Sequence, residues 1–243
     1  VAKYHYLVTK IPEWLSGTHN FQTLVMKKFL LLYKILFVSL PAFAQLKISS
    51  GTHWVNSGNA NLVVSNLDFV NDGNFSGAGG IKFTGSQNST ISGANQPAFN
   101  ILEVAKTNNA KIILGRNIGI GYSINFISGL LDLNSNNILL DAAANLAGES
   151  ENTRIVGANG GFVEITQNLN APLAANPGNL GATFTSTANL GSVTIRRGHL
   201  VQTGTGLNGS IQRYYLITPQ NNSGLNATLR LKYFDAELNG QNE

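Results

Sequence analysis

The sequence of 243 residues contains no cysteine, one methionine and few charged residues. Without cysteine, the chain has no disulfide framework and no thiolate metal site, so its fold depends on its core and its backbone hydrogen bonds. Lys, Arg, Asp and Glu make up 12% of the chain, against about 25% in a typical soluble domain. Uncharged polar residues, chiefly Asn, Gly, Ser and Thr, must therefore keep it soluble.

The chain also lacks an apolar run of the roughly 20 residues that a membrane-spanning helix needs. Its most apolar stretch, residues 29–40, is interrupted by Lys34 and closed by Pro41. Two lysines precede this stretch, and an A-x-A-like site that ends at Ala44 follows it. This order of charge, apolar stretch and small residues predicts a cleaved secretory signal peptide over residues 26–44.

Residues 1–25 precede the only methionine, Met26, and have no helical or strand period. We interpret them either as a spurious upstream extension or as a disordered N-terminal segment, and leave both possibilities open. They are excluded from the fold prediction, as processed segments are.

Most of the excess positive charge lies in this front end. The chain has 16 Lys and Arg against 12 Asp and Glu, and five of those cations and one of those acids precede Gln45. The remainder is therefore neutral. A basic pI would ordinarily suggest nucleic acid as a partner, but here it comes from a segment that we expect to be removed. We predict no nucleic-acid partner.

Between residues 62 and 140, short runs rich in Ile, Val, Leu and Phe alternate with clusters of Asn, Gly and Ser. This pattern is typical of an all-β protein. The intervals are fairly even, which favours roughly four stacked coils of about 20 residues from Leu62 to Leu140, in a parallel β-helix-like solenoid region over residues 45–148. Turns are expected at Asn108–Asn109 and in residues 134–137, because Asn tolerates positive φ. Stacked asparagines are expected to form amide ladders between coils.

Residues 149–243 alternate more strictly between apolar and polar positions, as strands with one wet face do. In residues 225–233, Leu229 and Leu231 share one side with further apolar residues, and Arg230 and Lys232 share the other. We predict a partial antiparallel β-sandwich-like module, joined to the solenoid near Ala147–Gly148. A complete sandwich takes about 100 residues with all its strands, so we expect this module to be truncated.

Residues 69–93 (FVNDGNFSGAGGIKFTGSQNSTISG) and 128–141 (SGLLDLNSNNILLD) resemble the repetitive β-rich region of large surface and secreted proteins of Bacteroidetes. Residues 153–182 and 193–199 (VTIRRGH) resemble the module that follows it in such proteins. The resemblance covers nearly all of residues 48–243. It implies export by the Sec system and then by type IX secretion, guided by a C-terminal sorting domain that we expect beyond this fragment.

A calcium-dependent polysaccharide lyase is one catalytic possibility, because such enzymes combine oxygen ligands for Ca²⁺ with a basic residue. The candidates are Asp68, Asp72, Arg116, Asp132 and Asp141. They are dispersed along the sequence, and Asp72 within Asn-Asp-Gly-Asn is more simply a turn residue. We therefore predict no catalytic and no metal-binding residue.

Other candidate groups are equally sparse. His53 and His199 lie far apart without a neighbouring acid, which argues against a histidine metal site or triad. Arg196–Arg197 and Tyr214–Tyr215 could contact a glycan, although strand faces explain them more simply. Gly119-Ile120-Gly121 lacks the third glycine of a nucleotide fingerprint.

These observations favour a non-enzymatic, exported protein of the cell surface or medium, acting as a spacer or adhesin. The alternative is a carbohydrate-binding module or the accessory region of a polysaccharide-degrading enzyme. We predict no cofactor. The expected partners are extracellular glycans or surface proteins, besides transient contact of the signal peptide with the export machinery.

Overall fold

The computed structural model describes residues 44–204 and 209–242, which belong to one compact all-β unit. The predicted upstream extension, and the predicted signal peptide except for Ala44, lie outside the described residues. No helix in the described ranges is long and apolar enough to cross a membrane.

The strands, in chain order, are β1 (Gln45–Ile48), β2 (His53–Val55), β3 (Asn61–Ser65), β4 (Asp68–Asn71), β5 (Asn74–Ser76), β6 (Gly80–Gly85), β7 (Ser89–Ser92), β8 (Ala98–Lys106), β9 (Lys111–Leu114), β10 (Ile118–Ser128), β11 (Leu130–Asp132), β12 (Ile138–Leu140), β13 (Asn145–Ala147), β14 (Arg154–Val156), β15 (Phe162–Asn170), β16 (Ala182–Ser186), β17 (Asn189–Gly198), β18 (Tyr214–Pro219) and β19 (Ala227–Leu231). Two 3-10 turns, Pro177–Asn179 and Asp235–Glu237, complete the regular elements.

The predicted solenoid is confirmed. One strand per coil enters a six-stranded parallel sheet, ordered β1-β4-β7-β9-β11-β14. A second strand per coil enters a nine-stranded sheet, ordered β3-β6-β8-β10-β12-β15-β17-β18, with β13 also paired to β10. β2 and β5 form a short third face in the first two coils. The chain thus winds through stacked coils with two main sheets.

Between Leu62 and Leu140 the first sheet has four strands, β4, β7, β9 and β11, which agrees with the roughly four coils predicted there. The whole first sheet has six strands, because one further coil with β1 precedes Leu62 and another with β14 follows Leu140. The last coil was missed because β15 alternates between buried and less buried positions, which suggested antiparallel pairing. Parallel pairing continues through β14 and β15, so antiparallel pairing begins only with β17, later than the expected junction near Ala147–Gly148.

Inward side chains of successive coils stack into apolar columns. In the second sheet, Val64, Phe83, Val104 and Phe126 occupy equivalent positions and are all buried. Phe69 in the first sheet packs edge-to-face on neighbouring rings, with centroids 5.3 Å from Phe75 and 5.6 Å from Phe99. Such contacts add to the free energy of burial.

Asparagine fills many of the corners, as expected. Asn108, Asn109 and Asn134 have positive φ. Most corner amides, however, bond to the backbone of an adjacent coil and not to one another: Asn56 Nδ2 donates to Gly80 O at 2.9 Å. One amide-to-amide contact between coils joins Asn159 Nδ2 to the Asn134 side chain. The predicted ladder is therefore mainly a side-chain-to-backbone one.

We call the described residues from 171 onward the C-terminal cap. In this cap, β17 pairs antiparallel with β15 and β18 pairs antiparallel with β17, so both extend the second sheet of the solenoid. β16 and β19 form a separate two-stranded antiparallel sheet. Leu229 and Leu231, predicted to face a core, are 45% and 46% exposed.

Candidate functional site

Six ionisable side chains are gathered where the C-terminal cap meets the last coil. We call them the ionic cluster: Glu149, Arg197, His199, Arg213, Tyr215 and Glu237. Four of them, Arg197, His199, Arg213 and Glu237, are buried. The cluster is assembled from the loop after β13, from β17 and the residue after it, from β18 and the residue before it, and from the second 3-10 turn.

Arg197 lies at an inward-facing position of the second sheet, where the coils have apolar residues at the equivalent positions. It is paired across the strands with Val163, which is paired in turn with Ile138. Its guanidinium makes a bidentate contact with the Glu149 carboxylate, with both Nη-to-Oε distances at 2.8 Å. Burial alone would raise the pKa of Glu149, but the charge and hydrogen bonds of Arg197 hold it below its ordinary value.

Glu237 is the centre of the other half of the cluster. Its Oε1 lies 3.0 Å from His199 Nδ1 and 3.0 Å from Arg213 Nη2, and its Oε2 accepts from the Phe234 backbone N–H at 2.9 Å. Burial opposes ionisation, but the hydrogen bond from His199 and the charge of Arg213 lower the pKa of Glu237 to about 2. Burial lowers the pKa of His199 to about 4, so its ring is neutral at pH 7 and donates from Nδ1.

Tyr215 links the two halves. Its hydroxyl lies 2.8 Å from Leu180 O and 2.9 Å from Lys232 O, and donates to one of them. Arg197 and Arg213 reach the same two carbonyls, at 3.2 Å and 3.1 Å respectively. The cluster therefore fastens the chain near residues 180 and 232 to the end of the solenoid. Its charged groups are directed at one another, which makes it a structural element.

The residues considered for glycan contact, Arg196–Arg197 and Tyr214–Tyr215, are thus divided between the two faces of the second sheet. Arg197 and Tyr215 belong to the ionic cluster, whereas Arg196 lies on the outer face, paired with Glu164 at 2.5 Å and stacked 4.7 Å above the Phe162 ring. The Tyr214 ring covers Gly198, where a Cβ would lie only 2.2 Å from it. Arg196 and Tyr214 are therefore engaged with their own sheet.

The lyase candidates are also dispersed. Asp68 accepts a hydrogen bond from Thr90 N, Asp72 pairs with Lys47, and Asp132 pairs with Lys111, each between adjacent coils. Arg116 donates to the backbone of the preceding coil. His53 lies on the exposed strand β2, away from the His199–Glu237 contact. Among the residues that the structure describes, no group of three His, Asp or Glu side chains has the arrangement of a metal site.

Asp141 differs from these acids because it borders a groove of about 190 Å³ on the outer face of the second sheet. The groove is lined by Ser76, Gly77, Ala98, Phe99, Asn100, Gly119, Ile120, Gly121 and Asp141. These residues come from four successive coils. Asp141 and Asp235 are the two carboxylates in the described ranges for which no hydrogen bond or ion pair is found.

A β-bulge shapes the groove. The register between β8 and β10 shifts between Ile120 and Ser123, so that Gly121 and Tyr122 together lie opposite the single residue Asn100. Bulges of this kind redirect side chains and are frequent next to functional sites. Tyr122 is 58% exposed beside the groove. At Gly121, a Cβ would lie 3.3 Å from Asn100 Oδ1 and 3.7 Å from Asp141 Oδ2.

A second concavity, of about 620 Å³, lies on the other side of the turn that follows Asp141. It is formed by residues 143–148 and 176–179 together with Gln167, and it is wide open to solvent. Gln167 Nε2 donates to Ala142 O, and Asn179 Nδ2 donates to Leu146 O, each at 2.7 Å. The second concavity thus lies between the last coils and the C-terminal cap.

Sequence reasoning missed the groove. In the sequence, Asp141 was grouped with acids that lie in or next to the first sheet, and Gly121 was assessed only as part of an incomplete nucleotide-binding motif. The pair Gly-Tyr within an apolar strand was the available signal, because a glycine inside a strand often marks a bulge or a close approach.

Comparisons with protein-family models, with curated proteins and with solved structures find no match to this chain. The function must therefore be argued from the geometry.

Proposed function

We propose that this protein is a non-enzymatic, exported spacer of the cell surface or medium, with an adhesin-like role. The observation that supports the proposal is the stack of six coils with continuous parallel strand pairing, which is joined to the C-terminal cap by further sheet pairing. Adjacent strands lie about 4.8 Å apart, so each added coil extends the body by a constant increment. Repeat proteins have this property in general, because each unit contacts chiefly its neighbours.

The interior of the coils supports a mechanical role. Columns of buried aliphatic and aromatic side chains run through successive coils, and corner amides bond one coil to the next. Such coils resist bending because adjacent strands of the two main sheets share both backbone hydrogen bonds and packed side chains.

Export is a part of the proposal that rests on the sequence. The charged, apolar and small-residue segments of residues 26–44 have the order of a cleavable signal. A cysteine-free fold held by core and backbone hydrogen bonds suits an environment in which thiols would be oxidised.

The test of export uses the chain expressed from Met26 with a C-terminal tag in a bacterium that has the Sec system. We expect mass spectrometry to find an N-terminus at Gln45 and cell fractionation to find the cleaved chain outside the cytoplasm. An uncleaved chain that stays inside the cell would refute the export part.

The spacer role is tested by changing the number of coils. Duplicating residues 89–111 adds one coil in register, because Ser89 is paired with Ile112 in the next coil. The chain has no cysteine, so Asn61→Cys and Asn222→Cys provide two unique sites for spin labels. We expect the label distance to increase by up to about 4.8 Å with display and cell attachment retained. An unchanged or broadly scattered distance, or lost attachment, would contradict a spacer.

The alternative, a carbohydrate-binding module, is favoured by one specific observation, the groove beside Asp141. It is compatible with a spacer, since a stalk can also hold a ligand on its side.

A further inference from the structure

We propose that the groove over β10 binds an uncharged oligosaccharide chain lying across the coils, with Asp141 and Asn100 accepting hydrogen bonds from sugar hydroxyls and Tyr122 stacking at its edge. This inference does not rest on the spacer role, and it identifies the site and ligand class of the carbohydrate-binding alternative.

Asp141 differs from the other acids of the coils in its contacts. Acids in the coils are paired: Asp72 with Lys47, Glu103 with Lys82, and Asp132 with Lys111. Asp141 is exposed, and neither a hydrogen bond nor an ion pair to another described residue is found for its carboxylate. A carboxylate has two oxygens that accept from several hydroxyl groups, and hydrogen bonds to a charged acceptor are the strong ones.

The side chain of Asn100 is oriented towards the groove by a hydrogen bond within the protein. Its Nδ2 donates to Ala78 O at 2.6 Å. This bond leaves Oδ1 directed at the space over Gly121, 3.3 Å from where a Cβ of that residue would lie. An acceptor thus lies on each side of Gly121, Asn100 Oδ1 on one and Asp141 Oδ2 on the other.

The floor of the groove is small and uncharged. It includes Ala98, Gly119 and Gly121, together with Phe99 and Ile120, which are only 2% and 1% exposed. A sugar ring has apolar C–H faces and a hydroxyl-bearing rim, and binding sites typically combine an apolar lining with a few placed polar groups. Tyr122, which follows Gly121 in the bulge, provides an exposed ring with a polar tip.

The length and charge of the groove indicate the kind of ligand. The groove is lined by residues of four coils, from Ser76 to Asp141, and a second concavity is lined by residues 143–148 and by residues 176–179 of the C-terminal cap. Stacked strands repeat about every 4.8 Å, so an extended chain, and not a single compact molecule, matches this surface. Asp141 is the charged residue among those that line the two concavities. A polyanionic saccharide would therefore be repelled.

The experiment measures binding of cellohexaose, mannohexaose and chitohexaose to the intact chain by calorimetry, with hexagalacturonate as the anionic probe. We expect at least one neutral hexasaccharide to bind and the anionic one to bind more weakly or not at all. Asp141→Asn should weaken binding about tenfold or more, because a hydrogen bond to a charged acceptor is lost. Gly121→Val should abolish binding, because its side chain fills the groove.

The matched control is Asp235→Asn, which removes the other unpartnered carboxylate and should change affinity less than about twofold. Thermal unfolding of each variant confirms that it is folded, which we expect since no partner of the Asp141 carboxylate is found among the residues that the structure describes. Three outcomes would overturn the proposal: no neutral hexasaccharide binding at millimolar concentration, tighter binding of hexagalacturonate, or binding that survives both Asp141→Asn and Gly121→Val.

Discussion

The coils and the C-terminal cap are stabilised by different chemistry. In the coils, buried polar contacts are mostly neutral: Asn56 bonds to a backbone carbonyl, and the buried cation Lys106 donates to Thr84 O and Ser89 Oγ, each at 2.8 Å. In the cap, buried arginines pair with carboxylates: Arg197 with Glu149 of the last coil, whose side chain is 10% exposed, and Arg213 with the buried Glu237.

The difference follows from the topology. Adjacent coils are related by a nearly constant shift. The amide of a corner asparagine therefore reaches the backbone of the next coil and needs no specific side-chain partner. The cap brings together segments that are far apart in sequence, and the partners of Arg197 and His199 lie 48 and 38 residues away. A buried ion pair adds little net stability, but it forms only when both groups have the correct geometry. It therefore suits a junction that must form in a single arrangement.

The largest effect is expected from breaking the ionic cluster. Arg197→Ala leaves the Glu149 carboxylate buried without its partner, which should cost about 3–5 kcal/mol of unfolding free energy. Urea unfolding measures this change. The double variant Glu149→Leu with Arg197→Leu is the control and should recover much of the loss, because it removes both charges. Equal destabilisation by the single and double variants would show that packing, and not charge, matters at this position.

Acidification should loosen the cap before the coils. His199 has a pKa of about 4 in the folded protein against 6.5 ordinarily, and Glu237 about 2 against 4.5. Both folded pKa values are depressed, so the unfolded state binds more protons at low pH. The stabilisation is complete above about pH 6.5 and is lost as the pH falls through 4 and towards 2, a change of a few kcal/mol.

Hydrogen exchange at pH 7, 5 and 4 tests this expectation by comparing amides of β17 and β18 with those of β9 and β11. His199→Gln, which can still donate to Glu237, should remove the part of the loss between pH 6.5 and 4. Equal loss of protection in coils and cap would contradict a local effect of the cluster.

A smaller effect is expected at a coil corner. Asn56→Ala removes the hydrogen bond to Gly80 O and leaves that carbonyl without this donor, at a cost of about 1–3 kcal/mol. Thermal or urea unfolding measures it, with Asn222→Ala at an exposed loop position as the control. A loss no greater than that of the control would show that corner amides serve the turn conformation and not the stacking.

The smallest effect is expected from the surface ion pairs of the coils. Lys82 and Glu103 lie 3.3 Å apart with side chains about one third exposed. Lys82→Ala should change the unfolding free energy by less than about 1 kcal/mol, since solvent screens such pairs. A loss as large as that of Arg197→Ala, measured in the same urea titration, would remove the distinction between the two regions.

Much of the solenoid could be predicted from local features. The alternation of apolar runs with Asn and Gly indicated an all-β coil, and the turn at Asn108–Asn109 was located correctly because positive φ is a property of single residues. The roughly four coils predicted between Leu62 and Leu140 agree with the four strands of the first sheet in that range. The last coil was assigned to the following module, because β15 alternates as an antiparallel strand does.

The groove and the ionic cluster could not be predicted from local features, because both depend on strand register and on contacts between distant segments. Asn100, Gly121 and Asp141 lie about one coil apart in sequence, and their meeting depends on the bulge that shifts the register between β8 and β10. Arg197 follows Arg196 in sequence, yet one faces the core and the other faces solvent, because successive side chains of a strand point to opposite faces.

By itself, the sequence determined the class of fold, because apolar periodicity and turn residues act over a few neighbours. It also indicated where charge is scarce and, in residues 26–44, an export signal. Only the tertiary structure decided which coil pairs with which, how Arg197 and Glu237 find their partners, and where Asp141 is left without one. These outcomes depend on strand register and on contacts between distant segments, which no local pattern encodes.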